Sequence, residues 1–283
     1  MTNSPTAISP HSAQSTSLVV LVRNQWRNRQ LIVQMTKREI VGRYKGSVLG
    51  IAWSFFHPIL MLAIYTFVFS VVFKARWGVN TDESKTQFAV VLFVGLIVHG
   101  LFAEVINRAP ALITSNVNFV KKVVFPLDIL PSVAIGAALF HSLINLGVLL
   151  IAFVLFNGYL NWTAIFIPIV LLPLIILTLG FAWMLASLGV FLRDLGQTTG
   201  IITMVMLFFS PIFYPVTALP VKLRPWIMAN PLTFIIEQAR EVLIWGHIPN
   251  WMGLGIYTLA ALTVSWAGYA WFQKTRKGFA DVL

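Results

Sequence analysis

Residues 37–45 of the chain read KREIVGRYK, and residues 50–73 read GIAWSFFHPILMLAIYTFVFSVVF. The second stretch contains no Lys, Arg, Asp or Glu. As an α-helix it would be about 35 Å long, because each residue adds about 1.5 Å, whereas the hydrocarbon core of a bilayer is about 30 Å thick. This part of the sequence therefore predicts a membrane-spanning helix that is entered from a basic segment.

The rest of the chain has the composition of a membrane protein. Of its 283 residues, 58% are hydrophobic and only 10% are charged, and the mean hydropathy is +0.83. Apolar runs of roughly the length of a spanning helix occur at residues 50–73, 87–107, 130–156, 163–191, 198–215 and 251–272. The sequence thus predicts an all-α integral membrane protein whose residues 47–283 form a domain of six transmembrane helices.

The distribution of charge indicates topology and argues against nucleic-acid binding. The net charge is +11, but the basic residues flank the apolar runs and do not line a long polar surface. Most of the 20 Lys and Arg residues fall in flanks on the same side as the N-terminus. The positive-inside rule then places both termini in the cytoplasm. The absence of Cys excludes disulfides and thiolate metal sites.

The region before the first apolar run divides into two parts. Residues 1–17 are rich in Ser, Thr and Pro and predict a disordered tail. Residues 18–46 mix aliphatic and basic side chains, which is typical of a helix at the membrane surface with its cations among the headgroups. Leu31 and Met35 share a helical face that Ile40 and Tyr44 do not share, so we expect a bend in this interfacial helix.

Two connections between the apolar runs are more than turns. The cytoplasmic stretch 108–128 is too polar and too rich in Pro to span, yet it is apolar enough to need a partner. It predicts a short helix that docks on another protein, and the alternative is a loop on the headgroups. We call residues 108–128 the coupling segment.

The second connection, residues 211–246, is called the external segment here. Pro211 and Pro215 interrupt the fifth apolar run and predict a short or broken span. Asn230 as N-cap, Pro231 at the first helical position and Gly246 after the end predict a helix over residues 231–245. Because fifteen residues are too few to cross a bilayer, we expect this helix at the outer interface, with its Glu237 and Arg240 pair exposed.

Ionisable residues inside the predicted spans are few. Glu104 is expected to pair with Arg108 one helical turn away, and His57, His99 and His141 are expected to be neutral and bonded to neighbouring helices. None of them has the spacing of a metal site, so no metal is expected. A secondary transporter should show paired intramembrane charges or an inverted repeat, and a membrane glycosyltransferase should show clustered acidic residues. The sequence shows neither pattern, and both classes remain alternatives.

Nucleotide chemistry is not expected in this chain. The sequence contains no G-x-x-x-x-G-K-[ST] motif, so it does not bind ATP through a P-loop. If transport requires energy, a separate subunit must supply it. The chain is therefore not expected to be an enzyme.

Several motifs together resemble a known family, the permease subunits of ABC exporters for cell-surface polysaccharides. They are Lys37-Arg38-Glu39-Ile40, Arg43-Tyr44-Lys45, Ser47, Leu49-Gly50, Trp53, Pro58, Asn118, Val120-Lys121-Lys122, Phe125-Pro126, Asp128, Leu130-Pro131, Arg193-Asp194, Ser210-Pro211 and Asn230-Pro231. The resemblance extends from about residue 25 to the end of the chain. It departs at Asp128, where Glu is more common in the family.

The resemblance implies a homodimer of this chain bound to two ABC ATPase subunits in the bacterial inner membrane. ATP and Mg would bind to the ATPase, and no cofactor is implied for this chain. The implied cargo is a lipid-linked polysaccharide. O-antigen on undecaprenyl diphosphate is the expected substrate, with capsular polysaccharide or teichoic acid as alternatives.

The resemblance also implies roles for particular residues. Entry of the lipid diphosphate is assigned to Arg38, Arg43, Tyr44 and Lys45. A glycan pore is assigned to the aromatic residues Trp53, Phe56, Tyr65, Phe67 and Phe69. Coupling to the ATPase is assigned to Asn118, Phe119, Val120, Lys121 and Lys122. An external gate of re-entrant helices is assigned to Pro211, Phe213, Tyr214, Pro215, Asn230 and Pro231.

Overall fold

A computed structural model of the protein describes residues 17–72, 77, 85–121 and 125–283, and every regular element in these ranges is helical. Its α-helices are α1 (Leu18–Arg27), α2 (Arg29–Tyr44), α3 (Trp53–Tyr65), α4 (Lys85–Arg108), α5 (Val117–Lys121), α6 (Leu130–Asn157), α7 (Ile167–Phe191), α8 (Leu195–Phe209), α9 (Arg224–Met228), α10 (Pro231–Arg240), α11 (Trp251–Thr275) and α12 (Phe279–Val282). The predicted disordered tail, apart from Ser17, and the predicted coupling residue Lys122 lie outside the described residues.

The interfacial region consists of two helices and not one. α1 ends at Arg27 and α2 begins at Arg29, because Asn28 leaves the helical conformation with φ −95° and ψ 11°. The sequence predicts a bend in this region from the different faces of Leu31 and Met35 and of Ile40 and Tyr44. The break lies earlier in the chain, at Asn28. After α2 the chain turns at Gly46, whose φ of 86° lies in the left-handed region that favours glycine.

Four helical segments are long and apolar enough to cross a membrane, judged by length and composition among the described residues. They are Gly50–Phe69, Phe88–Ala111, Leu127–Asn157 and Trp162–Phe191. Gly50–Phe69 includes α3 and part of the π-helical turn that continues it. α8, with 15 residues, is apolar but shorter. α11 has 25 residues, and the count of six spans stays a prediction.

The spans differ greatly in how far they are buried within the chain. In the candidate span Phe88–Ala111, 78% of the residues in the most apolar stretch are buried within the chain. In the candidate span Gly50–Phe69, only 17% are buried. α4 therefore lies at the centre of the bundle, and α3 lies at its edge with most of its apolar side chains exposed. These exposed side chains, which include Phe55, Ile59 and Ile64, must face lipid or another protein.

α7 and α11 pack with their backbones in direct contact. A Cβ atom built on Gly180 of α7 would lie 2.6 Å from the Cα atom of Ser265, and one built on Gly268 of α11 would lie 2.0 Å from the carbonyl oxygen of Gly180. Only glycine fits at such distances. Small residues allow this approach in membrane helices, where dispersion contacts and interhelical hydrogen bonds drive association.

The external segment follows the break at the end of α8. α8 ends at Phe209, the chain turns through Ser210 and Pro211, and the short helices α9 and α10 follow. The start of α10 is the one predicted, because the Asn230 side chain accepts a hydrogen bond from the Leu232 amide and Pro231 is the first helical residue. A π-helical turn continues α10 from Glu241 to Trp245, and Gly246 ends it at φ 73°.

The predicted exposure of the Glu237 and Arg240 pair is wrong for Arg240. The Arg240 side chain is 0% exposed, and its guanidinium donates hydrogen bonds to the carbonyl oxygens of Val91, Pro211 and Ile212 over 2.6–3.3 Å. It also donates to the Glu237 carboxylate over 2.8 Å. The Arg240 side of α10 therefore faces the protein interior, where backbone carbonyl groups of α4 and of the turn after α8 accept its hydrogen bonds.

The Trp77 ring and the Glu237 carboxylate both stabilise the positive charge of the buried Arg240. Its guanidinium carbon lies 4.2 Å from the centre of the Trp77 ring, which is a cation–π geometry. Burial lowers the pKa of Arg240 to about 10, and Glu237 opposes the shift. The side chain is therefore protonated at neutral pH. It joins α10 to α4 and to the turn that follows α8.

Candidate functional site

A cavity of about 380 Å³ lies between the end of α2 and the helices α3, α4 and α6. We call it the lateral cavity. Its lining residues are mostly polar or aromatic, in a region of apolar helices, and they are Arg43, Tyr44, Trp53, Ser54, His57, Pro58, Glu104, His141 and Asn145. The cavity thus brings together residues from the interfacial helix and three candidate spans.

A charged network lies at one wall of the lateral cavity. Arg43 Nη2 is 2.8 Å from Glu104 Oε1, and His141 Nδ1 is 3.0 Å from the same oxygen. Arg108, the partner predicted from helical spacing, is farther from that oxygen, at 3.7 Å, and forms a closer ion pair with Glu39. The prediction was incomplete because α2 packs along α6, which brings Arg43 at its end to Glu104 and His141.

The His141 ring has unused hydrogen-bonding capacity. Its Nδ1 atom is 3.2 Å from Arg43 Nη1 as well as 3.0 Å from Glu104 Oε1. A single ring nitrogen either donates or accepts, so it cannot bond to both groups at once. Its Nε2 atom is buried and has no hydrogen-bond partner among the described residues.

The other walls of the cavity combine hydroxyl, amide and aromatic groups. Burial raises the pKa of the Tyr44 hydroxyl, Arg43 opposes this shift, and the group remains a hydrogen-bond donor at neutral pH. The Tyr44 ring lies edge-on to His141, with 6.2 Å between ring centres. Cationic and neutral donors of this kind can bind a phosphate group through charge-assisted hydrogen bonds. An exposed indole such as that of Trp53 can pack on a sugar ring.

Arg38 lines a second cavity of about 400 Å³ and does not line the lateral cavity. We call this second cavity the basal cavity, and its lining includes Arg38, Glu39, Arg108 and Phe119. Lys45 is exposed in the turn after α2 and lines neither cavity. The four residues assigned to lipid entry are therefore not brought to one place, since only Arg43 and Tyr44 share the lateral cavity.

The aromatic residues assigned to a pore also separate. Trp53 lines the lateral cavity and meets Phe56 edge-on, at 5.4 Å between ring centres. Phe56 and Phe67 are exposed, and Tyr65 is half-buried. Phe69 packs on Phe88 and Phe213, 5.3 and 6.1 Å away, and so belongs to the packing between α4 and the external segment.

The coupling segment contains the predicted short helix, α5. Asn118 and Lys121 are exposed on it, and Phe119 is half-buried and stacked on Phe125 with 4.3 Å between ring centres. Val120 is 1% exposed and packs in the core of the chain. Its side chain therefore anchors α5, while Asn118 and Lys121 are available to a partner.

The residues assigned to the external gate surround the broken end of α8. The Asn230 amide donates to the carbonyl oxygen of Phe209 over 3.1 Å, and the Tyr214 hydroxyl donates to that of Phe208 over 2.7 Å. The Pro211 carbonyl oxygen accepts a hydrogen bond from the Arg240 guanidinium. These contacts join the start of α10 to the end of α8, whose last carbonyl groups would otherwise lack partners.

Sequence reasoning missed the polar residues that complete the lateral cavity, namely Ser54, His57 and Asn145. A signal for them exists in helical spacing. Ser54 and His57 are three residues apart on α3, and His141 and Asn145 are four apart on α6. Polar residues that recur on one face of an apolar helix indicate a polar cavity or an interhelical contact.

Comparison with known proteins gives a family and several relatives. A family model described as ABC-2 type transporter matches residues 30–244. The chain is 24% identical over 268 residues to the O-antigen export system permease protein RfbA of Myxococcus xanthus, covering 94% of this chain and all of that protein.

Two further relatives cover most of both chains. A Klebsiella pneumoniae protein, also named O-antigen export system permease protein RfbA, is 29% identical over 256 residues, covering 89% of this chain and 95% of that protein. The polysialic acid transport protein KpsM of Escherichia coli is 26% identical over 241 residues, covering 83% and 90%.

Proposed function

The chain belongs to the ABC-2 type transporter family, and we propose that it is the membrane-spanning permease subunit of an ATP-driven exporter of cell-surface polysaccharide. The similar proteins that cover nearly the whole chain are named for O-antigen export and polysialic acid transport. O-antigen is the cargo favoured by the relatives with the higher coverage. Capsular polysaccharide or teichoic acid is the alternative.

The proposed assembly is a homodimer of this chain in the bacterial inner membrane with two ABC ATPase subunits on its cytoplasmic side. Six spans with both termini in the cytoplasm are consistent with the basic flanks of the apolar runs. α3 supports the dimer, because its apolar side chains lie exposed at the edge of the bundle. ATP and Mg bind to the ATPase in this proposal.

The lateral cavity is the observation that carries the proposed binding of a lipid-diphosphate carrier. It opens beside the interfacial helix and presents Arg43, two His residues and an amide next to Trp53. A lipid diphosphate in the cytoplasmic leaflet would meet these donors, and each charge-assisted hydrogen bond contributes about 1.5–3 kcal/mol. The first sugar could then pack on the Trp53 indole. Undecaprenyl diphosphate is the carrier that this chemistry suits.

Export by an Arg43→Ala variant tests the role of the lateral cavity. We expect polysaccharide at the cell surface to fall at least about tenfold, since one charge-assisted bond of about 1.5 kcal/mol corresponds to that factor. Lys37→Ala is the control, because Lys37 is exposed on the same helix and lines neither cavity. Normal export by an Arg43→Ala complex that still inserts and assembles would remove the headgroup role.

A second candidate function is an ion-coupled secondary transporter, and the Arg43, Glu104 and His141 network is the observation that favours it. Paired charges next to a membrane cavity are typical of proton-coupled carriers. Transport measured in vesicles separates the two functions. A secondary transporter would move its cargo with a proton gradient and no ATP, whereas the proposed permease requires ATP and its partner subunit.

A further inference from the structure

The end of the chain packs against the coupling segment. We call residues 276–283 the C-terminal segment; it contains α12. Phe279 of this segment is 0% exposed and contacts Phe272 of α11 and Phe191 of α7, with 5.5 and 6.1 Å between ring centres. The same buried apolar cluster contains Val120 from α5. The C-terminal segment and the coupling segment therefore share one core.

Polar contacts join the two segments as well. The Arg276 guanidinium donates a hydrogen bond from Nη2 to the carbonyl oxygen of Phe125 over 3.3 Å, and its Nη1 lies 4.0 Å from the Asp128 carboxylate. Lys121 of α5 donates to the carbonyl oxygen of Leu283. The C-terminal segment thus contacts the second half of the coupling segment, at Lys121, Phe125 and Asp128.

Asp128 extends these contacts to the interfacial helices and to α7. Its carboxylate accepts a hydrogen bond from the Asn24 amide over 3.1 Å, and its backbone carbonyl oxygen accepts one from the Trp183 indole over 2.8 Å. Asp128 is fully buried. The coupling segment cannot be displaced at Asp128 without a change at α1, at α7 or at Arg276.

The coupling helix needs such support because it is very short. α5 has five residues, and an isolated helix of that length is unstable in water, since helix nucleation is unfavourable. Tertiary contacts must hold it in place. The C-terminal segment supplies part of them through Phe279 and the contact of Leu283 with Lys121, and Arg276 contacts Phe125 and Asp128, which follow α5.

We propose that the C-terminal segment is a strut for the coupling segment and that the two together form one docking surface for the ATPase subunit. This inference rests on the proposed function, which supplies the ATPase as the partner. Arg276 and Phe279 are buried and act as positioning residues through α5. The exposed side chains of the composite surface include Asn118, Lys121, Lys277, Asp281 and Val282.

The charge of this surface indicates the chemistry of the partner face. Lys121 and Lys277 are exposed on it, and Lys274 is exposed one turn earlier at the end of α11, whereas Asp281 is the acidic residue among its exposed side chains. The surface is therefore basic around the apolar Val282. An ATPase groove that fits it has acidic residues at its rim and an apolar patch inside.

Single-cysteine crosslinking tests the contact directly, because the chain contains no Cys. Val282 is 49% exposed, and a Val282→Cys variant carrying a thiol-linked photocrosslinker should crosslink to the ATPase in the purified complex. Asn118→Cys is the reference on α5. Ile248→Cys is the control, because Ile248 is 61% exposed and follows the external segment, on the opposite side in the proposed topology.

The crosslinking outcomes separate this inference from the proposed function. If Asn118→Cys crosslinks and Val282→Cys does not, the composite surface is wrong and ATPase docking on α5 stands. If neither crosslinks in a complex that co-purifies, the docking site is elsewhere and the coupling role itself is wrong. Crosslinking from both positions, with none from Ile248→Cys, supports the proposal.

The positioning role has its own test. A Phe279→Ala variant should lower the amount of co-purified ATPase at least about tenfold, while membrane insertion and homodimer formation persist, and Phe279→Leu should restore most of the binding. Should Phe279→Ala fail to insert, Val282→Asp with Lys277→Glu changes only exposed residues and should also reduce ATPase binding about tenfold. Unchanged binding in the surface variant would overturn the proposal.

Discussion

At the residue scale, the most informative side chains are those whose partners lie far away in the sequence. Asn230, Pro231 and Gly246 act locally, and their roles in starting and ending a helix could be predicted from the sequence. The local pairs of Glu104 with Arg108 and of Arg240 with Glu237 could also be predicted, but the contacts of Glu104 with Arg43 and of Arg240 with backbone carbonyl groups could not. These distant contacts depend on how α2 packs along α6 and how α10 meets α4 and the turn after α8, and no local pattern encodes this packing.

Arg240 gives a residue-scale prediction. An Arg240→Met variant keeps an apolar stem but leaves the carbonyl oxygens of Val91, Pro211 and Ile212 without their buried donor. We expect a loss of about 3–5 kcal/mol, the cost typical of breaking a buried charged contact. Thermal unfolding in detergent measures it as a lower Tm.

Lys222→Met is the matched control for that variant. Lys222 lies in the same external segment and is exposed, so its replacement should leave the Tm nearly unchanged. Equal Tm values for the Arg240 variant and the unmodified protein would mean that the guanidinium does not hold the external segment. The role of Arg240 in joining α10 to α4 would then be wrong.

At the element scale, the long apolar helices were the part of the fold that the sequence predicted well. Their lengths and the absence of charge locate four candidate spans within a few residues. The sequence also predicted that the helix of the fifth apolar run is interrupted at Pro211, and α8 ends before this residue, at Phe209. The packing of α5 against the C-terminal segment was not foreseen, because an apolar pattern of a few residues does not reveal which core receives it.

The close contact of α7 and α11 gives an element-scale prediction. A Gly268→Val variant would push a side chain into the backbone of α7, since a Cβ atom there already lies 2.0 Å from the carbonyl oxygen of Gly180. We expect the two helices to separate and the Tm to fall by several degrees. Gly255→Val is the control on the same helix, because no atom lies within 4 Å of a Cβ atom at that position.

Equal effects of the two valine variants would contradict the packing of these helices. Both substitutions add the same β-branched side chain to α11, so they share any change in helix propensity. Only the contact with α7 differs. A Tm that falls for Gly268→Val alone would support α11 as an integral helix of the bundle, as the six-span topology requires.

At the scale of the whole molecule, the contacts between the coupling segment and the interfacial helices suit the proposed transporter, which an ATPase drives from the cytoplasmic side. The coupling segment, the C-terminal segment and α1 meet at Asp128, and α2 continues from α1 to the lateral cavity. In the proposed assembly, a displacement of the coupling segment by the ATPase would reach Arg43 through contiguous packed elements. In the proposed topology, the lateral cavity and the proposed docking surface lie at two ends of one connected layer on the cytoplasmic side.

Reconstituted transport tests the central claim most directly. The complex of this chain with its co-purifying ATPase would be placed in proteoliposomes that contain a labelled undecaprenyl-diphosphate-linked polysaccharide, and the glycan accessible on the far leaflet would be measured with a membrane-impermeant enzyme. Our account predicts that translocation requires ATP hydrolysis, is lost with a non-hydrolysing ATPase and falls about tenfold with Arg43→Ala. An assembled, ATP-hydrolysing complex that moves no glycan, or moves it equally without ATP, would contradict the account.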